Sequence, residues 1–213
     1  MDIRLAHLST HILKDQAGGS DIWNQALAWS SPDIWEVIAP SGTGKSTFVR
    51  VLFGLSQDYQ GEYFLDGQEA RALRASQWQQ VRREQISCVF QGLSLFPQLT
   101  VWENLAIKRK LAPNAVSDAE VITWLERLDI LRLKDKRVDT ISFGQAQRLA
   151  IVRALCQPFS LLLLDEPFSH LDEGNARLAW DLMAEVASSK QAGIIITGLS
   201  SHPYITPTHA FAL

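Results

Sequence analysis

The feature that most constrains the fold is a short glycine-rich loop between a strand-like run and a helix-like run. The loop is Ser41-Gly42-Thr43-Gly44-Lys45-Ser46-Thr47. The short run 35–38 precedes it and predicts a strand, and the run 48–52 follows it and predicts the start of a helix. A strand, a tight turn and a helix in this order are typical of a parallel α/β sheet. We therefore expect an α/β fold built around this loop.

The residue types of the loop are suited to holding phosphate groups. Glycines let successive backbone N–H groups curve around an anion without a Cβ clash. Lys45 supplies a positive charge for the β- and γ-phosphates, and the Ser46 hydroxyl is a ligand for Mg²⁺. The dipole of the following helix also favours negative charge at its first turn. The alternative is a Gly/Ser-rich turn that only by coincidence ends in Lys-Ser-Thr.

Two further apolar runs end in polar side chains that suit the same chemistry. The leucines 161–164 lead into Asp165 and Glu166, and the run 86–90 leads into Gln91. At the end of a central strand, Asp165 can hold Mg²⁺ through its water shell, and Glu166 can orient or deprotonate a water that attacks the γ-phosphate. Gln91 can reach both the metal and that water. Asp-Glu-Pro could otherwise be a plain loop start, and a strand-terminal glutamine alone has many uses.

The remaining pattern predicts the layout of one domain over residues 1–213. Buried strands are expected at 35–38, 86–90, 161–164 and 194–197, and the alternating segment 61–67 predicts a small antiparallel sheet. Ser117 and Glu120 form a capping box before apolar residues at helical spacing. This indicates a helical subdomain over about 95–150. A further helix, 145–155, begins beside Ser142 and Gly144 and offers a second anion-binding helix start.

Composition narrows the class of protein. The formal net charge is −3 and no basic stripe is present, so we expect no nucleic-acid partner. The basic clusters 82–83 and 108–110 are interpreted as solvated faces or local contacts. Cys88 and Cys156 lie far apart in apolar runs and are expected to be reduced, buried thiols. We expect no secretory signal in residues 1–7 and no membrane-spanning segment, since the strongest apolar run is far shorter than a bilayer requires.

The order of these motifs resembles that of the ATP-binding cassette (ABC) transporter ATPases over essentially the whole chain. The segment Ser142-Phe143-Gly144-Gln145 is similar to the family's Leu-Ser-Gly-Gly-Gln signature, and Arg148 follows it as in the family. Ser169-His170-Leu171-Asp172 follows the Asp165-Glu166 pair, as the family order requires. Within the family, residues 74–111 look most like the lipoprotein-release, macrolide-efflux and cell-division type.

The resemblance implies ATP and Mg²⁺ as cofactors, with Lys45, Gln91 and Glu166 as the catalytic residues and Ser46, Gln91 and Asp165 at the metal. It implies two cassettes that close head-to-tail over ATP, with Asp172 linking the two sites, and a transmembrane permease that receives motion from 95–105. The chain would then be cytoplasmic and peripheral on the cell's inner membrane. The implied nucleotide contacts are Ala39, Pro40, Ser41, Gly42, Thr43, Gly44, Lys45, Ser46, Thr47, Gln91, Asp165 and, from the second subunit, Ser142, Gly144 and Gln145.

Three departures from the family pattern concern hydrolysis. Ala39 replaces the first loop glycine, Phe143 replaces the first signature glycine, and Gly198 stands where a histidine contacts the γ-phosphate. His202 is the candidate substitute for that histidine, although an exposed loop histidine is the preferred interpretation. The aromatic residue that stacks on adenine in the family is also missing, and Ile12, with His11 beside it, falls near that place. The favoured function is an ATP-hydrolysing subunit of an ABC transporter; the alternatives are a nucleotide-binding subunit with poor hydrolysis and a different P-loop NTPase.

Overall fold

The computed structural model describes residues 1–10, 19–114 and 116–213. His11 and Ile12, the positions predicted near the adenine, lie outside these residues. The strands are β1 (Asp2–Ser9), β2 (Ala26–Ser30), β3 (Ile34–Ile38), β4 (Gln60–Leu65), β5 (Gln68–Glu69), β6 (Ile86–Val89), β7 (Leu161–Asp165), β8 (Gly193–Gly198) and β9 (His209–Ala212). The α-helices are α1 (Lys45–Leu52), α2 (Ala75–Glu84), α3 (Val101–Leu111), α4 (Asp118–Arg127), α5 (Phe143–Leu155) and α6 (Glu173–Ser189).

A parallel sheet in the order β6-β7-β8-β3-β9 forms the centre of the fold. All five residues of β7 are buried. Leu161 and Leu163 belong to one hydrophobic core, whereas Leu162 and Leu164 belong to the other. Side chains alternate between the two faces of a strand, so an unbroken leucine run is what a strand covered on both faces needs. The predicted parallel α/β core is confirmed.

A second, antiparallel sheet has the order β2-β1-β4-β5. Its buried side chains, such as Leu5, Trp29 and Tyr63, share a core with α1, α2 and one face of the parallel sheet. The segment 61–67 predicted only one strand of this sheet, and the partner strand β1 comes from the other side of the phosphate loop in sequence. The expected small antiparallel sheet is therefore present and larger than the sequence indicated.

The helices between β6 and β7 cover the other face of the parallel sheet. Capping boxes begin three of them, at Thr100, Ser117 and Ser142. Each hydroxyl accepts a hydrogen bond from the backbone N–H of the third helical residue. The side chain of that residue accepts a hydrogen bond from the backbone N–H of the cap residue, and the two bonds together fix where the helix starts. α5 runs on to Leu155, so no helix ends at the predicted subdomain boundary near 150. None of the helices in the described part of the chain combines the length and apolar character needed to cross a membrane.

Candidate phosphate site

The glycine-rich loop joins the end of β3 to the start of α1 at the carboxyl edge of the parallel sheet. Gly42 and Gly44 have φ of 82° and 100°, in the left-handed region where glycine has no Cβ penalty. No side chain caps α1. The first-turn N–H groups of a helix have no partner within the helix, so here they remain available to an outside acceptor. The backbone thus suits a bound anion.

Lys45 is buried at the first position of α1, with only 3% of its side chain exposed. Its Nζ donates to the carbonyl oxygens of Ala39 and Pro40, both at 2.8 Å, and lies 3.1 Å from Glu166 Oε1. These three acceptors compensate the burial of the ammonium group. Thr43 Oγ1 also donates to the Pro40 carbonyl at 2.8 Å. The predicted contacts Ala39 and Pro40 therefore hold the lysine through their carbonyl groups.

Ala39, the first departure from the family pattern, does not strain the loop. Positive φ angles occur at nine non-glycine residues in the described chain, and Ala39 is not one of them. Its side chain is buried and its N–H donates to the Gly198 carbonyl at 3.1 Å. Because the backbone of Ala39 is outside the left-handed region, an alanine side chain causes no conformational strain at this position. This substitution therefore leaves the loop geometry intact.

Asp165 lies beside the loop because of strand register. It pairs with Thr197 across β7 and β8, and Thr197 Oγ1 donates to its Oδ1 at 3.0 Å. Burial raises the pKa of Asp165, while hydrogen bonds from Ser46 and Thr197 lower it. A bound cation would favour the charged form and offset the desolvation. The oxygens of Ser46, Gln91 and Asp165 are the ligand type Mg²⁺ prefers, so the side chains fit that metal.

The metal would need ligands beyond these residues. No group of three or more His, Cys, Asp and Glu side chains in the described chain is arranged to hold a metal. Mg²⁺ keeps several waters and is commonly held by one or two carboxylates together with phosphate oxygens. One buried aspartate beside a phosphate loop matches that requirement.

Glu166 faces the loop from the end of β7. Its φ is 49°, a left-handed conformation that costs a non-glycine residue roughly 1–2 kcal/mol. One carboxylate oxygen meets Lys45, and the other accepts from Gln91 Nε2 at 3.4 Å. A cavity of about 190 Å³ lies between these groups. It is lined by the predicted catalytic residue Glu166 and by seven of the eleven nucleotide contacts predicted within one subunit, namely Ser41, Gly42, Gly44, Lys45, Ser46, Thr47 and Gln91.

The predicted signature residues do not line this cavity. Ser142 caps α5, and its Oγ accepts from Gln145 N at 3.3 Å while Gln145 Oε1 accepts from Ser142 N at 3.0 Å. Gly144 packs so closely that an added Cβ would lie 3.0 Å from the His170 carbonyl. Phe143 is half exposed, with its ring centroid 4.2 Å from that of His170. These residues form a separate surface at the start of α5.

A hydrogen-bond chain ties that surface to the start of α6. Arg148 Nη1 donates to the Leu128 carbonyl at 2.7 Å and to Asn175 Oδ1 at 2.9 Å. Asp172, the predicted link between sites, accepts from Asn175 N at 2.8 Å. The hydrogen bonds from Asn175 lower the pKa of Asp172. The signature helix and the Asp172 loop are therefore held as one unit.

Gly198 opens onto a second cavity, of about 160 Å³, on the far side of Glu166. His202 lines it, but the residues of the phosphate loop do not. The His202 ring stacks on Tyr204 and meets Phe168 edge-on, and burial lowers its pKa. His202 lies in a loop, as the preferred interpretation has it, but these two aromatic rings half-bury it, so the expected exposure is wrong. Its position nevertheless keeps it out of the phosphate cavity.

Two residues of this region were missed by sequence reasoning. Thr197 was assigned only to a strand, although its place opposite Asp165 gives it a contact with the candidate metal ligand. Glu36 lies buried in β3 and lines the second cavity, and burial raises its pKa. A carboxylate inside an apolar strand was the available signal for Glu36. Nothing local marked Thr197, since strand register decides its neighbour.

Proteins of known sequence resemble this chain over most of its length. A spermidine/putrescine import ATP-binding protein PotA of Protochlamydia amoebophila is 37% identical over 76% of this chain. The match spans only 42% of that relative's length. A lipoprotein-releasing system ATP-binding protein LolD of Legionella pneumophila is 35% identical over 80% of this chain and 76% of its own.

Solved structures share the fold. A structure described as a dimeric bacterial ABC transporter cassette superposes with a TM-score of 0.79 at 24% identity, covering 93% of this chain and 88% of that one. A putative ABC transporter ATP-binding protein from Pyrococcus furiosus gives a TM-score of 0.79 at 18% identity, covering 100% of this chain and 98% of its own. The family profile described as ABC transporter matches residues 26–169, which contain the loop, the signature and the Asp165-Glu166 pair. The chain belongs to the ABC transporter family, as an ATP-binding cassette.

Proposed function

We propose that this chain binds Mg-ATP at the glycine-rich loop and hydrolyses it as the ATP-binding subunit of a transporter. The observation that carries the proposal is the meeting of Lys45, Gln91 and Glu166 in one cavity with the uncapped start of α1. A buried cation, free helix N–H groups and neighbouring carboxylates match the needs of a metal-bound triphosphate.

Each side chain has a distinct task in this proposal. Lys45 leaves its loop carbonyls to meet the β- and γ-phosphates, and the N–H groups at the start of α1 hold the remaining phosphate oxygens. Ser46, Asp165 and Gln91 would hold Mg²⁺, which when bound neutralises charge on the phosphate oxygens. Glu166 then accepts a proton from water, and Gln91 Nε2 orients its carboxylate.

The surface at the start of α5 serves a second cassette. Ser142, Gly144 and Gln145 of one subunit would approach the γ-phosphate held by the other, so that ATP closes the pair. One structural neighbour is a dimeric cassette, which supports such pairing. Phe143 stands exposed at the contact and restricts how closely the two copies approach. We propose a transmembrane permease as the further partner, which would hold this chain at the cytoplasmic face of the inner membrane.

Phosphate release measured with and without Mg²⁺ tests the proposal. Glu166→Gln should reduce the rate on the order of 10²–10³-fold and retain nucleotide affinity, because it removes the general base and keeps the shape. Glu62→Gln, on the exposed side of β4, is the matched control and should change nothing.

Phe143 and Gly198 favour one alternative, a cassette that binds nucleotide and hydrolyses little. Wild-type protein that binds Mg-ATP but releases phosphate no faster than Glu166→Gln, alone or with its permease, would establish that alternative. A failure to bind nucleotide at millimolar concentration would overturn the proposal itself.

A further inference from the structure

The second cavity, on the far side of Glu166 from the phosphate loop, contains a buried carboxylate. Its volume is about 160 Å³. Glu36 lines it from β3 and is only 5% exposed. Its neighbours Trp35 and Val37 pack into the core shared with the antiparallel sheet, so alternation along the strand turns Glu36 to the opposite face, where the cavity lies. A glutamate is seldom buried this deeply unless it has a partner.

The Glu36 carboxylate has one weak hydrogen bond to the rest of the described chain. Its Oε1 accepts from the His202 backbone N–H at 3.4 Å, longer than the usual upper value of about 3.2 Å. Its Oε2 accepts no hydrogen bond from residues 1–10, 19–114 or 116–213. Burial raises the pKa of Glu36, and the bond from His202 only partly opposes that effect. A buried carboxylate needs donors or a cation to offset its lost hydration, so Glu36 has unused capacity to accept.

The other titratable side chains of the cavity do not supply a cation. Its lining residues, all within the described chain, include no lysine and no arginine. Burial lowers the pKa of His202, and its Nδ1 is hydrogen-bonded to the Tyr204 hydroxyl at 3.1 Å. Glu166, the second carboxylate of the lining, is paired with Lys45. The charge that the cavity offers to a ligand is therefore the negative charge of Glu36.

The rest of the wall suits a flat apolar ring. Four hydrophobic side chains contribute to it: Ile38, Phe168, Ile196 and Leu199. A cavity of about 150 Å³ lined by such residues holds benzene, so this volume is sufficient for one small ring. Gly198 keeps the space open, because an added Cβ would lie 3.2 Å from the Ser200 carbonyl and 3.5 Å from Ile38, both in the wall. A ligand that fits combines apolar ring faces with a positively charged N–H at the ring edge.

We propose that this cavity binds a small protonated nitrogen heterocycle of the imidazolium kind, whose ring N–H donates to Glu36 Oε2. The faces of the ring pack against the hydrophobic wall, and Phe168 adds an aromatic contact. The residues of the phosphate loop do not line this cavity, so the ligand does not require bound nucleotide. The site is thus additional to the proposed function, which stands or falls separately.

Calorimetric titration of the full chain at pH 6 with two rings of matched size tests the proposal. Imidazole is the probe, and pyrazole, which stays neutral at this pH, is its uncharged counterpart. The ordinary pKa values are about 4.3 for a glutamate and about 6.5 for an imidazole, so at pH 6 Glu36 and imidazole have one proton to share. We expect imidazole to bind with a Kd of about 1 mM and pyrazole to bind roughly tenfold more weakly.

Three variants locate the binding. Glu36→Gln keeps the shape of the side chain and removes its charge, so it should reduce the preference for imidazole to within about twofold. Glu62→Gln, on the exposed side of β4, is the matched control and should keep the preference. Gly198→Leu should lose the binding of both rings, because its side chain enters the space beside Ile38. Retained imidazole binding in Gly198→Leu would place the ligand elsewhere and refute the site.

Wild-type protein alone can overturn the proposal, so the test does not depend on the folding of a variant. Equal affinities for the two rings, or no saturable binding of imidazole at about 20 mM, would each refute it. An unchanged preference in Glu36→Gln would do the same. The NMR signals of the Phe168 and His202 rings should shift as imidazole saturates, and signals that stay in place during saturation would also contradict the site.

Discussion

Two lysines placed on the buried sides of helices have opposite surroundings in this cassette. Lys45 has three acceptors within 3.1 Å, including a carboxylate. Lys108 has none in the described residues, and its pKa falls to about 8. In the proposed function, the first lysine exchanges its loop carbonyls for phosphates. The second is a partly buried charge that no acidic side chain in the described residues offsets.

The difference teaches how each region contributes to function. At the loop, the fold already pairs Lys45 with Glu166, so the proposed nucleotide would replace existing contacts of the lysine. At Lys108, the described residues leave the ammonium group without a carboxylate, which costs the folded chain stability. Four substitutions would break or sharpen this contrast, and they are given from the largest expected effect to the smallest.

Lys45→Ala should weaken Mg-ATP binding by on the order of 100-fold or more, since it removes the charge that faces the phosphates and leaves Glu166 unpaired. Titration with a fluorescent ATP analogue measures the affinity of each variant. Arg50→Ala is the control, because Arg50 is exposed in the last turn of the same helix. If wild type and Lys45→Ala bind Mg-ATP with equal affinity, Lys45 does not bind the phosphates and its contrast with Lys108 has no functional meaning.

Lys108→Met should raise the free energy of unfolding at pH 7 by about 2 kcal/mol, because it removes an uncompensated charge. In the wild type, the folded pKa of about 8 lies below the ordinary value of 10.5. The unfolded chain therefore binds the proton more tightly, so the stability of the wild type rises with pH between these values. The advantage of Lys108→Met should shrink over that range.

Urea unfolding at pH 7, 8, 9 and 10 measures this advantage against Lys110→Met as the exposed control. The thiols of Cys88 and Cys156 face the same amine, and burial raises the pKa of each, that of Cys156 to about 12. Because their raised pKa values keep both thiols mostly protonated in the folded state over this range, the difference between wild type and variant reports mainly on Lys108. A variant less stable than wild type at pH 7 would show that Lys108 is already compensated.

Gly198→His tests whether hydrolysis is limited by the missing histidine side chain at this position. An added Cβ would lie 3.2 Å from the Ser200 carbonyl and 3.5 Å from Ile38, so a side chain enters with only a small adjustment. We expect about a tenfold gain in phosphate release, since one positioned donor to transition-state charge is worth at least that much. Gly198→Ala adds the Cβ without the imidazole and should give no gain. A histidine variant as slow as the alanine variant would mean that the site is limited elsewhere.

Ser142→Ala tests the start of α5, where the Ser142 hydroxyl caps the helix. It should lower the free energy of unfolding by about 1 kcal/mol through loss of the cap. Ser117→Ala removes a similar capping box and should cost the same. Only Ser142→Ala should also weaken ATP-dependent pairing of two chains, measured by light scattering in the Glu166→Gln background. If the two variants pair equally well, Ser142 takes no part in the proposed contact with a second cassette.

The sequence alone determined the fold class and the motifs of the phosphate site, because those signals are local. Glycines that need left-handed backbone, a lysine after them, and apolar runs ending in Asp165, Glu166 and Gln91 are each legible within a few residues. The order of the motifs was sufficient to indicate the family. The loop cavity is lined by the glycines, Lys45, Gln91 and Glu166 that this pattern named, and their roles in binding and catalysis stay predictions.

Only the tertiary structure decided which distant residues meet. Strand register places Thr197 against Asp165, and the backbone at Ala39 is free of left-handed strain. His202 lies beyond Glu166 because the chain after β8 packs on Phe168. The sequence leaves a solvated face and a local contact open for residues 108–110, and the packing of α3 makes Lys108 only partly exposed. Contacts between residues far apart in sequence depend on packing and register, which no local pattern encodes.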